Sequence, residues 1–270
     1  MNAAAARLDV IHLRDERLWD ERLCEERLCE EQGAALLVVL MLMALMMALS
    51  LALILVTMAE ERIAHNYRRG SEVLYAADAA MELLLPEIVT VPNWDDLLSG
   101  AIRSSFVDGP PSGRRELPDG NTIDLTQATN LVRCGKNTCS AADLTASVEG
   151  RPWGPNNPWW QLYAYGPLSG MLPASAMDLT AYVIVWVADD PAESDDDPLR
   201  DGLPPAGCDL ENDSTCAAGN AGRGAIAMLA QAFGPDGTRR TTEVIVGRQR
   251  PGGEPGGPAR VRLLSWQELR

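Results

Sequence analysis

The chain has 270 residues, a formal net charge of −15 at pH 7 and 5% aromatic residues. That length suits one ordinary domain plus an appended element, or at most two small domains. Net acidity without any cluster of arginines argues against a nucleic-acid partner, because phosphate binding needs a basic face. Only two histidines occur, His12 and His65, and neither lies in the second half of the chain. No His-based triad or His metal site can therefore form there, and no enzyme is expected.

Residues 1–33 hold five Arg against nine acidic residues, a net of −4. They contain a pentad repeat: Asp15-Glu16-Arg17-Leu18-Trp19, then Asp20-Glu21-Arg22-Leu23-Cys24, then Glu25-Glu26-Arg27-Leu28-Cys29. The repeat reads as a helical charged tail or equally as a mis-assigned start, and in either case as dispensable.

From Ala34 to Ala59 the chain is uncharged and dominated by Leu, Met, Ala and Val. About 20 such residues span the hydrocarbon core of a bilayer, so this run is a membrane-spanning candidate and the lipid bilayer an expected partner. A cleavable secretory signal has an apolar region of only about 7–15 residues. This run is longer, and it continues into Glu60-Glu61-Arg62 without a turn. Beyond it, apolar or small residues fall at Ile63, Tyr67, Leu74, Ala77, Met81 and Leu84, the spacing of one helical face. Pro86 is expected to stop the pattern. The expectation is one helix over 34–85, roughly 78 Å long, apolar over 34–59 and amphipathic over 60–85. A plain signal anchor needs only the first part, whereas a filament subunit needs both.

Two stretches carry a resemblance to a known family. Glu31-Gln32-Gly33-Ala34-Ala35-Leu36-Leu37-Val38-Val39 resembles the processing site of a type IV prepilin. Ala59-Glu60-Glu61-Arg62-Ile63-Ala64-His65-Asn66 and Glu72-Val73-Leu74-Tyr75-Ala76-Ala77-Asp78-Ala79-Ala80 resemble the signature of PilX-type minor pilins. The resemblance covers about Gln32 to Leu85, and extends more distantly to GspK-type pseudopilins. It implies a leader over 1–33, cleavage after Gly33 by a prepilin peptidase, and an N-methylated Ala34. It also implies a single-pass inner-membrane protein whose C-terminal domain faces the periplasm, with other major and minor pilins and the pilus assembly machinery as partners. Major pilins carry a Glu at the fifth mature position, where this chain has Val38. A buried carboxylate there pairs with a neighbour's terminal amine, so a subunit without it fits the start or cap of a filament.

After Pro86 the composition shifts to Gly, Pro, Asp and Asn, and residues 86–270 are expected to form a β-rich globular domain. A short helix is expected around Trp94 to Ser99. Strands are expected at Gln161 to Tyr165, Leu179 to Ala188, Ala225 to Phe233, Thr241 to Val246 and Arg260 to Leu264. Gly234-Pro235-Asp236-Gly237 is a turn signal that should join two of them as an antiparallel hairpin. The fold class is therefore α+β, a long N-terminal helix followed by a small antiparallel sheet, as the resemblance also implies.

Cys134/Cys139 and Cys208/Cys216 are close pairs in loop-like sequence. In an oxidising compartment they are expected to form disulfides; four cysteines allow three connectivities, of which proximity favours the local one. A zinc site is the competing reading, though the spacings are not those of common zinc knuckles. The acidic loop 189–213 is either solvated or a calcium site, with Asp195, Asp197 and Asp201 as the candidate ligands. Trp153, Trp159 and Trp160 crowd one turn-rich loop, where packing competes with partner contact. Three functions remain: a subunit of a type IV pilus or of a type II secretion pseudopilus, an anchored adhesion or binding module, and an anchored enzyme.

Overall fold

A computed structural model describes the backbone of residues 5–172, 180–192, 197–201, 224–249 and 260–269, and the side chains of all of these but 5–33, 249 and 260. The chain divides into two compact units, Met1–His65 and Asn66–Arg270. Helix α1 (Ala5–Thr90) contributes to both.

The first unit is helical throughout its described backbone. The helix starts well before the expected Ala34, because the pentads are built from Glu, Arg and Leu, all good helix formers. From Ala34 to Ala59 every residue is exposed.

In the second unit, α1 is one layer over an antiparallel sheet. The sheet contains β3 (Gln161–Pro167), β4 (Tyr182–Asp189), β5 (Ala225–Phe233), β6 (Arg239–Gln249) and β7 (Arg260–Leu269), in sequential order. All four pairings are antiparallel. The buried stripe of α1 is Val73, Ala76, Ala77, Ala80, Met81, Leu84 and Ile88, packed on Val183, Val185, Met228, Ala230 and Val244. The opposite sheet face carries a second cluster, with Ile184, Trp186 and Leu229 under Leu125 and Ala128 of α3 (Leu125–Cys134). β4 has both faces covered, and so reads as an unbroken apolar run, Tyr-Val-Ile-Val-Trp-Val-Ala, without alternation.

The smaller elements are α2 (Asp95–Leu98), the ribbon of β1 (Arg114–Glu116) and β2 (Thr122–Asp124), α4 (Ala141–Leu144) and α5 (Leu168–Met171). α3 has the capping its sequence calls for. The Asp124 carboxylate accepts from the Thr126 and Gln127 amides, and Gly135 closes the helix in the left-handed region at φ 74°.

Two expectations are corrected. Pro86 does not end α1, which runs on to Thr90. Proline removes one backbone donor, yet Pro86 lies on the exposed side while Ile88 and Val91 are buried beyond it. Glu87 adds a tether, accepting from Ser104 Oγ at 2.5 Å and from the Ser105 amide at 2.8 Å. Packing outweighs the local cost. The second correction concerns the apolar face. Ile63 and Tyr67 are 68% and 78% exposed, so the buried stripe begins further along, at Gly70 and Val73.

The predicted hairpin is present, β5 to β6 across Pro235–Gly237. Gly234 is required there for space. A Cβ on it would sit 2.2 Å from Val73 Cγ2 of α1, closer than two carbons can come.

Candidate assembly interface

The surface that most needs a partner is the apolar run of α1. Leu36, Leu40, Leu45, Leu49, Leu53 and Met58 are each more than half exposed, and no residue from 34 to 59 is charged. Its only two hydroxyl side chains are already satisfied within the helix. Ser50 Oγ donates to the Met46 carbonyl at 2.8 Å and Thr57 Oγ1 to the Leu53 carbonyl at 2.9 Å. Such internal bonding suits lipid, where an unpaired polar group costs several kcal/mol. By length and composition this helix can cross a membrane.

Gly33 lies inside α1, directly before this run, and Ala34 begins it. Val38 is 56% exposed on the same apolar surface, so a plain hydrocarbon side chain stands where the resemblance places a carboxylate.

The second resembling stretch has a clear structural role. Ala76, Ala77 and Ala80 are fully buried, and their small side chains let the helix axis approach the sheet closely. Asp78 between them accepts from Thr242 Oγ1 of β6 at 3.1 Å and from the Trp266 side chain of β7. Burial raises the pKa of Asp78, against the pull of those hydrogen bonds, and the neighbouring Glu82 and Glu268 carboxylates add to the rise. The acid is a tie between helix and sheet. Its partners lie more than 160 residues away in sequence, and no local pattern names them.

The chain after α1 is held by Arg248 of β6. Its guanidinium donates to the Val91 and Pro92 carbonyls at 2.7 and 2.8 Å and stacks 4.4 Å over the Trp94 ring. These contacts close the C-terminal end of the helix with a cation, as its dipole favours.

Cys134 and Cys139 form a disulfide, with Cα atoms 6.0 Å apart. The bridge closes the turn after α3, and Lys136 inside that turn pairs with Asp143 of α4. Cys208, Cys216 and Asp195 lie outside the described residues. Asp197 accepts from the Leu199 amide at 3.2 Å and pairs with Arg200 at 3.3 Å. Asp201 accepts from the Gly224 amide at 2.6 Å, and its own amide donates to Asp95. Among the described residues no group of three or more His, Cys, Asp or Glu is placed to hold a metal ion. Of the crowded tryptophans, Trp160 is buried against the outer face of the sheet and Trp153 is 43% exposed.

An uncharged helix long enough for a bilayer, uncovered among the described residues, leads into a helix that carries a five-stranded antiparallel sheet, an α+β arrangement. Residues 32–82 match the family described as PilX N-terminal, which supports a type IV pilin-like family. No curated protein and no solved structure matches the chain.

Proposed function

We propose that this protein is a minor pilin, a structural subunit of a type IV pilus that sits at or near the filament tip and supports pilus biogenesis, adhesion or motility rather than catalysis. The reading rests on one observation. The PilX N-terminal match falls on a helix whose apolar half is left uncovered by the described residues of the chain. Such a surface is stable in lipid and, after extraction, only against other helices of the same kind. Val38 supports the tip position. Without a carboxylate this subunit offers nothing to the terminal amine of a subunit stacked beyond it, while its own Ala34 amine remains available to a Glu below. In this scheme a prepilin peptidase cuts after Gly33, Ala34 is methylated, and the sheet domain waits in the periplasm until the assembly machinery carries it to the surface.

Mass spectrometry of the membrane-extracted chain tests the processing. A mature N-terminus at methylated Ala34 is expected, and an intact segment 1–33 would leave a plain anchor. Cysteine crosslinking of sheared filaments tests the position. Even distribution along the shaft would defeat the tip assignment while leaving the subunit assignment standing.

A further inference from the structure

The turn after α2, the exposed side of α3 and the start of β3 enclose an open cavity of about 230 Å³. Its walls include Arg103, Thr126, Asn130, Arg133 and Gln161, and no lining residue is acidic. In a chain of 38 acidic residues against 23 basic ones, two arginines around one acid-free hollow are a local inversion of charge. Among the described residues neither arginine is in an ion pair.

Arg133 is set in advance. Its Nε donates to the Trp160 carbonyl at 2.5 Å and one terminal nitrogen to Gln161 Oε1 at 2.7 Å, while the guanidinium lies 5.7 Å from the Trp159 ring centroid. Burial lowers the pKa of this guanidinium, as expected of a cation stripped of water and given no counter-charge. A fixed, partly dehydrated arginine needs little further ordering to receive an anion, and its planar fork matches a carboxylate. Arg103 is exposed at the rim and supplies a second positive charge. Thr126, Asn130 and Gln161 add hydroxyl and amide groups beside the two cations. The volume lies below the roughly 300–1,000 Å³ of drug-sized sites, so the cavity suits one compact group.

We propose that this cavity binds an acidic monosaccharide unit, with Arg133 and Arg103 taking the carboxylate and Thr126, Asn130 and Gln161 facing the ring hydroxyls. The site stands apart from the filament reading, since it lies wholly within the Asn66–Arg270 unit and does not depend on processing at Gly33.

The test is titration of the full chain in detergent micelles, followed by calorimetry and by the fluorescence of the tryptophans beside Arg133. Glucuronate should bind saturably and glucose should not. Binding should weaken in about 0.5 M salt, where screening reaches a few ångströms. Arg103→Gln, an exposed change, should keep the melting temperature and weaken glucuronate at least about tenfold, the loss expected for one charged hydrogen bond. Arg133→Gln should abolish binding, but it also removes two bonds to the start of β3, so the Arg103 variant decides. Inorganic phosphate that competes more weakly than glucuronate agrees with the proposal. Phosphate that binds where glucuronate does not overturns the sugar assignment. Glucuronate that fails to saturate, or binds the Arg103 variant equally well, overturns the site.

Discussion

The two parts of α1 use the same kinds of residue for different ends. Leu45 in the first unit is 56% exposed, and Leu84 in the second is fully buried. Both are leucines in a long helix, with Ala, Leu and Met among the neighbours of each. Around Leu84 the sheet supplies Val, Ile and Met side chains, while among the described residues nothing covers Leu45. Apolar residues near 84 stabilise the fold of a single chain. Those near 45 can be stabilised only by lipid or by another molecule. Exposure of so long an apolar surface is a statement about environment and partners.

The strongest way to break this contrast is to make one change in both places. Leu84→Ala removes a fully buried side chain and should cost about 2–5 kcal/mol. In a domain of this size that lowers the melting temperature by roughly 4–20 °C. Leu45→Ala should leave the melting of the sheet domain unchanged, read by tryptophan fluorescence in micelles. A comparable loss at Leu45 would mean that its side chain serves the fold after all.

A charge reverses the sensitivity. Leu45→Arg places a cation near the middle of the apolar run, at about 2.5–3.5 kcal/mol for insertion on the translocon scale. The expected result is a smaller membrane-integrated fraction after alkaline extraction, with the sheet domain melting as before. Full integration of the variant would show that the run has hydrophobicity to spare, and would direct attention to helix packing instead.

How much of this was legible beforehand follows the same division. The bare run needs only composition, and Ala34 to Ala59 is plain in the sequence. β5 is found with its predicted bounds, Ala225–Phe233, since short β-branched and alternating runs beside a Gly-Pro-Asp-Gly turn are local signals. β6 and β7 are longer than their predicted cores because pairing extends strands beyond the residues that look strand-like. α3 was missed although its signals were present, Asp124 as N-cap and Gly135 after the last turn. Five of its ten residues are polar or charged, so no apolar run marks it in the sequence. Pro86 misled because its local cost is visible in sequence while the burial of Ile88 is not. The cavity around Arg133 gathers residues from 100 to 162, a convergence made by tertiary structure alone.

The disulfide offers a smaller test, confined to the second unit. Closing a loop of about six residues is worth about 2 kcal/mol on the chain-entropy account. Replacing Cys134 and Cys139 together by Ser, or reducing the bridge with dithiothreitol, should lower the melting of the sheet domain by that modest amount. Membrane integration of the apolar run should not respond. Loss on adding a zinc chelator, without any change on reduction, would favour metal over the disulfide.

The smallest expected effect concerns Asp78 and its sign. Residues 34–59 contain no titratable side chain, so pH dependence of folding cannot arise there. Asp78 is a titratable group on the packed part of α1, and burial raises its pKa above the ordinary 3.8. A folded-state pKa above the unfolded one means that the folded protein holds the proton more tightly. The resulting stability is complete below the unfolded pKa and is lost as pH rises through the folded one. Asp78→Asn keeps an oxygen to accept from Thr242 and removes the charge that burial opposes. The variant should therefore match the wild type near pH 4 and melt slightly higher at about pH 7. If it melts lower at pH 7, the carboxylate's bonds to Thr242 and Trp266 outweigh its desolvation. The acid at this position of the motif would then be a net stabiliser of the helix on the sheet.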